Sequence, residues 1–138
     1  MSVSTLPECV KNFFPKEQLE FSSSITADEK PVLQEVFKKH SCFSQCGEII
    51  DEVSKRNPEL GSRLANVLEG NKKRLVGLSP SAVEYSIKLI HMVTDALCSL
   101  TVGKEIKNDE AKRLHEEFHK LSQEDQAALK RNNPDIKF

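Results

Sequence analysis

Residues 115–119 read HEEFH, which places His115 and His119 one helical turn apart with Glu116 beside the first. That is the spacing by which a zinc hydrolase presents two imidazoles and a general base from one helix face. A working site also needs a third protein ligand and a substrate cleft. The segment after His119 offers Glu124, Asp125 and Asp135 but no Gly-x-x-His extension, and no strand is in view to hold an extended peptide. The pair therefore reads as two solvated histidines beside an apolar stripe of Ala111, Leu114, Phe118 and Leu121. His40, Cys42 and Cys46 form a second candidate metal cluster, but the paired C-x-x-C spacing is missing, and buried thiols near a helix end fit better. There is no glycine-rich phosphate loop, no G-x-S-x-G elbow and no placed acid–base pair. The chemistry-bearing residues thus point away from an enzyme, and they imply no metal and no cofactor.

A Ser/Thr-x-x-Asp/Glu pattern begins at Thr5, Thr26, Ser81 and Ser122. It can be read as acidic-directed phosphorylation, in which added charge alters a helix N-terminus. It can equally be read as a capping box, in which the hydroxyl and the acidic side chain satisfy each other's backbone N–H groups. For Thr26 and Ser122 capping is sufficient, with phosphorylation of Thr26 as a possible overlay.

The elements that must position these residues are helices. Strand signals are absent, since the chain has no long alternating runs, no Asn-Gly or Asp-Gly hairpin, and five glycines in all. Pro15 opens a short helix through Leu19 and Phe21, followed by a flexible-looking Ser22, Ser23, Ser24. Thr26 and Glu29 start a helix bearing Val32, Leu33, Val36 and Phe37 that ends near His40. A helix over 48–56 follows, and Asn57 with Pro58 caps and opens a long one carrying Leu60, Leu64, Val67, Leu68 and Leu75, with Gly70 as a point where it can kink. Ser79 and Pro80 start the longest helix and Gly103 ends it; Asn108 caps the next, Ser122 the last, and Pro134 closes the fold. Short connections make sequential helices antiparallel neighbours.

The longest helix carries a further signal. Glu84, Lys88, His91 and Asp95 follow i, i+4, i+7, i+11, a stripe about 80° wide. Nearly every other large side chain from Val83 to Leu100 is apolar, so the apolar arc covers more than half the circumference. Polar residues across its middle argue against a membrane span. With 138 residues, one domain over 1–138 is expected. Lys plus Arg number 20 against 21 Asp plus Glu, with the signs interleaved, which excludes a nucleic-acid footprint or polybasic membrane patch. The N-terminal MSVSTLPECV has no basic or apolar leader region, and Cys9, Cys42, Cys46 and Cys98 read as free thiols, Cys98 as a small hydrophobe; both features lead to an intracellular, cytoplasmic expectation. The wide arc fits either the central helix of a bundle or the wall of an apolar cavity, and periodicity does not separate them.

The phrases PECVKNFF at 7–14, ITADEKPVL at 25–33, NPEL at 57–60, LSPSA at 78–82 and LSQEDQAALKRNNPDI at 121–136 occur in this order and spacing. In them the chain resembles the nematode fatty-acid- and retinol-binding proteins over nearly its whole length. The resemblance implies an all-α, wedge-like single compact domain enclosing an apolar cavity, with fatty acids and retinol as ligands and no catalysis. That family is known for a potential casein-kinase-type site, and Thr26 falls within the matching phrase. Most of its members are secreted, so a member lacking a signal peptide is expected to carry or buffer lipid inside the cell.

The facing apolar stripes give the expected cavity lining: Leu64, Val67, Leu68 and Leu75; Ile90, Val93 and Leu97; Leu114 and Phe118. Arg63 and Arg74, on one flank of the long helix, are the candidate cations for a fatty-acid carboxylate. The carrier is expected to be a monomer that binds no nucleic acid and does not insert stably in a membrane. A competing reading from another class is a helical interaction module whose apolar groove docks a partner helix.

Overall fold

The computed structural model describes residues 6–39, 46–106 and 108–138, with the Cys46 side chain left out. The Thr5 pattern and the His40, Cys42, Cys46 side-chain cluster lie outside the described residues.

The described residues form eight α-helices and no strand, as the sequence leads one to expect: α1 Glu8–Lys11, α2 Lys16–Ser24, α3 Lys30–Lys39, α4 Cys46–Arg56, α5 Pro58–Lys73, α6 Pro80–Val102, α7 Asp109–Lys120 and α8 Gln123–Asn132. The starts follow local chemistry. Asn57 Oδ1 accepts the Leu60 N–H at 3.1 Å, Ser79 Oγ that of Ala82 at 3.2 Å, and Ser122 Oγ that of Asp125 at 3.1 Å. Ahead of α3 the capping box is complete, since Thr26 Oγ1 accepts the Glu29 N–H at 3.2 Å and Glu29 Oε1 accepts the Thr26 N–H at 3.0 Å. Gly103 ends α6 at φ 78°, a conformation that a Cβ would strain.

Two local expectations need correction. Ser22, Ser23 and Ser24 are helical, each hydroxyl donating to the carbonyl three residues back at 2.8–3.0 Å, so the run is the last turn of α2 rather than a loose linker. Asn108 precedes α7 without a side-chain capping bond. At Gly70 a Cβ would stand 2.6 Å from Glu17 Cγ, so the glycine admits α2 against a helix that continues to Lys73. A similar constraint fixes the α4–α5 hairpin, because a Cβ on Gly61 would meet the Cα of Ser54 at 2.8 Å.

Helix α6 runs through the middle, packed against α3, α7 and α8, while α5 lies between α2 and α4. Its polar stripe faces solvent: Glu84, Lys88, His91 and Asp95 are exposed, while Tyr85, Leu89, Val93 and Leu97 are buried. Pro134 does not close the fold. The chain continues so that Ile136 is buried and the Phe138 ring stacks on Phe118 at 4.5 Å between centroids. Among the described residues no helix is long and apolar enough to cross a membrane.

Candidate functional site

Between α2, α3, α4, α5 and α6 lies an apolar cleft of about 40 Å³. Phe37 of α3, Ile49 and Ile50 of α4, Leu64, Val67 and Leu68 of α5, and Thr94, Leu97 and Cys98 of α6 line it, with Gln18 of α2 and Asn71 of α5. Phe37, Ile50, Leu68 and Thr94 are half-buried and mark its outer side, whereas Gln18 and Asn71 are 1% and 3% exposed and form its deep end. No Lys, Arg, His, Asp or Glu side chain is among the lining residues. The volume is well below the roughly 300 Å³ at which drug-sized ligand pockets begin. A long-chain ligand therefore has to displace the half-buried side chains on entry.

The expected lining residues divide between two places. Leu64, Val67, Leu68 and Leu97 come together at this cleft. Leu114 and Phe118 belong instead to an aromatic core at the other end of α6, where Phe118 also lies 6.0 Å from the Tyr85 ring, and Tyr85 donates its phenol proton to the Leu114 carbonyl at 2.8 Å. Burial pushes the Tyr85 phenol well above its usual pKa, with the Glu117 carboxylate adding to the shift. Val93 is fully buried core, and Leu75 and Ile90 are half-buried outside the cleft lining.

The two arginines also separate. Arg74 is 7% exposed and its guanidinium is saturated. It bonds the Glu17 carboxylate at 2.8–3.1 Å, both oxygens of Asp135 at 2.8 Å and the Asn133 carbonyl oxygen Oδ1 at 2.9 Å. Burial alone would push the Asp135 carboxyl up; Arg74, together with the Lys16 N–H at 2.6 Å, outweighs it and holds the carboxyl below its usual range. This cluster ties α2 and the end of α5 to the C-terminal segment. Arg63 lines a shallower surface cleft of about 270 Å³ with Glu17, Phe21 and Ser24, and that cleft shares Val67 with the apolar one. Its Nη1 donates to Ser24 Oγ at 2.7 Å, its Nη2 pairs with Glu29, and its Nε–H has no hydrogen-bond partner.

His115 and His119 are both exposed, their rings edge-on at 4.8 Å, and no group of three potential metal ligands is found among the described residues. Cys9 is a free thiol. Cys98 is disulfide-bonded, which corrects its reading as a free thiol. The residues that sequence reasoning missed are Gln18 and Asn71. Asn71 falls on the buried face of α5 four residues after Val67, a polar side chain in an apolar register, and that was the available signal.

The model of the nematode fatty acid retinoid binding protein family matches residues 9–137. The lipid binding protein Ce-FAR-7 from Caenorhabditis elegans is 77% identical and superposes with a TM-score of 0.95, covering all of this chain and 98% of that one. Fatty acid and retinol binding protein Na-FAR-1 from Necator americanus is 23% identical with a TM-score of 0.79, over 98% of this chain and 89% of that one, a likeness of fold. Fatty-acid and retinol-binding protein 1 of Wuchereria bancrofti is 26% identical over 89 residues, 64% of this chain and 50% of that protein. The Brugia malayi protein of the same name is 26% identical over 81 residues, 59% of this chain and 46% of that one, so the chain spans about half the length of these two relatives.

Proposed function

Because the chain belongs to the nematode fatty acid retinoid binding protein family, we propose that it binds long-chain fatty acids and retinol without catalysis, in the apolar cleft between α2, α3, α4, α5 and α6, and carries or buffers them as a monomer. The observation that carries the reading is the lining, in which apolar side chains from four helices meet with no charged group among them. Desolvating about fifteen methylenes contributes roughly 12 kcal/mol, at about 0.8 per methylene. Ordering the ligand and opening the cleft offset several of those, which leaves micromolar binding within reach. Of the two arginines, Arg63 is the one with a donor to spare, and its cleft adjoins at Val67. In this reading an acid enters tail first and its carboxylate stays at Arg63, near water. Arg74 is already neutralised by two carboxylates and serves the fold.

An intracellular carrier is part of the same proposal, and the Cys98 disulfide pulls against it, since reducing compartments keep thiols free. A thiol count on protein from its native source decides that part separately. An interaction module is the less supported reading, because the exposed large apolar side chains among the described residues are few: Leu19 in α2, Val76 in the turn after α5 and Ile87 in α6.

The test is a titration of delipidated protein with an environment-sensitive fluorescent fatty acid, followed by displacement with oleate and with retinol. A saturable blue shift reversed by both is expected. Folded protein that gives no saturable signal returns the cleft to ordinary core.

A further inference from the structure

At the deep end of the cleft, Gln18 Nε2 donates to Asn71 Oδ1 at 3.0 Å, and the two remaining polar atoms, Gln18 Oε1 and Asn71 Nδ2, have no partner. Both side chains are more than nine-tenths buried. Exchanging O and N in both amides reverses the bond between them but still leaves one bare acceptor beside one bare donor, so the pattern does not depend on how the amides are oriented. Thr94, another polar liner, turns its hydroxyl to the Ile90 carbonyl at 2.8 Å and does not compete. Unpaired buried amide groups are costly, so an orphan pair at the closed end of an apolar cleft calls for something that both donates and accepts.

A hydroxyl does both, whereas an ionised carboxylate only accepts and would face the Gln18 oxygen with no cation among the lining residues. We infer that the Gln18–Asn71 pair is a head-group site for the alcohol of a neutral long-chain lipid, which enters the cleft head first. The inference rests on the proposed lipid binding and adds to it a second orientation: acids lie tail in with the carboxylate at Arg63, and alcohols lie head in. The O–H donates to one amide oxygen and accepts from the other amide's N–H. A water that bridged the two amides would be displaced at little loss, because the hydroxyl reproduces its bonds.

The test compares cis-9-octadecen-1-ol, its methyl ether and oleate as displacers of a fluorescent fatty acid. It uses wild-type protein and the double variant Gln18→Leu with Asn71→Leu, which removes both partners together and so leaves neither amide orphaned. The double variant is expected to lose about tenfold in alcohol affinity, and the alcohol-to-oleate affinity ratio is expected to fall with it, since only the alcohol loses hydrogen-bond partners. On wild-type protein the ether, which lacks the donor, is expected to bind about tenfold more weakly than the alcohol, and this comparison holds even where the variant does not fold. Alcohol affinity unchanged in the folded variant, or an ether that matches the alcohol, overturns the inference and leaves the carrier reading standing. Failure of all the displacers overturns the carrier reading and this inference with it.

Discussion

The two ends of α6 look alike in sequence and differ in the folded chain. Toward its N-terminus, Tyr85 packs against α7, where Leu114 and Phe118 are fully buried, the Phe138 ring is stacked in, and the Tyr85 phenol has its partner. Toward its C-terminus, Thr94, Leu97 and Cys98 border a narrow cleft whose outer side chains are half-buried and whose deep end holds two unpaired amide atoms. One end is closed and satisfied; the other is bordered by half-buried side chains. A helix that is apolar around most of its girth can thus be core at one end and the wall of a cleft at the other.

The same truncation at the two ends tests this most directly. Leu114→Ala opens a void in a filled core and is expected to cost about 4–5 kcal/mol, near the top of the range for this change. Leu97→Ala borders space that already exists, so about 2–3 kcal/mol is expected. Urea denaturation of the two variants measures both, and equal losses would mean that the cleft end is as tightly filled as the aromatic end. Fluorescent fatty-acid binding by the folded Leu114→Ala protein is expected to match wild type.

Arg74→Met comes next in size. It leaves Glu17 and Asp135 without their cation, and because both carboxylates are partly exposed the expected loss is about 2–3 kcal/mol, below that of a fully buried pair. The folded Asp135 pKa lies below its unfolded value of about 3.9. Its contribution is therefore fully present above that unfolded value and is lost as the pH falls through the folded one. Wild-type protein is expected to lose this stability on acidification while Arg74→Met shows a flatter profile over that interval. Alcohol affinity is expected to be unchanged, since neither Arg74 nor Asp135 lines the apolar cleft, whereas oleate is expected to weaken slightly because Glu17, left without its cation, also lines the Arg63 cleft.

Arg63→Gln separates the two ligand orientations. Removing the cation is expected to weaken oleate about tenfold, roughly 1.4 kcal/mol, and to leave the alcohol unaffected. Displacement of a fluorescent fatty acid by each ligand reads it. Equal weakening of both ligands would mean that Arg63 acts through the shape of α5 rather than on a carboxylate.

What the sequence made legible was local. Asn57, Ser79 and Ser122 each cap the helix they were expected to cap, because a side chain that reaches three residues ahead leaves its whole mechanism within one short phrase. The exposed stripe of α6 was legible because a helix repeats on itself. The decisive contacts at the site were not, because they join distant segments: Gln18 to Asn71 across 53 residues, Arg74 to Glu17 across 57 and to Asp135 across 61. The cleft lining was half legible for the same reason. Apolar register picks out Leu64, Val67 and Leu97 as inward-facing but holds nothing that tells a residue facing another side chain from one facing a gap, so Leu114 and Phe118 passed the same filter.

The smallest effect concerns the hinge between the two arginine roles and the helix caps. Thr26 is exposed, yet its hydroxyl and N–H are tied to Glu29, the residue that also pairs with Arg63. Thr26→Ala removes the hydroxyl half of that box and is expected to cost about 1 kcal/mol by urea denaturation. Glu29 keeps its bond to the Thr26 N–H and its pairing with Arg63, so oleate affinity should hold. A phosphate on Thr26 would act differently, since its charge would stand beside Glu29, repel it and compete for Arg63. The carboxylate orientation should then weaken while the alcohol orientation, built on Gln18 and Asn71, should not. A Thr26-phosphorylated sample that loses both ligands equally would show that the cap controls the whole cleft, and the two head-group positions would no longer be independent.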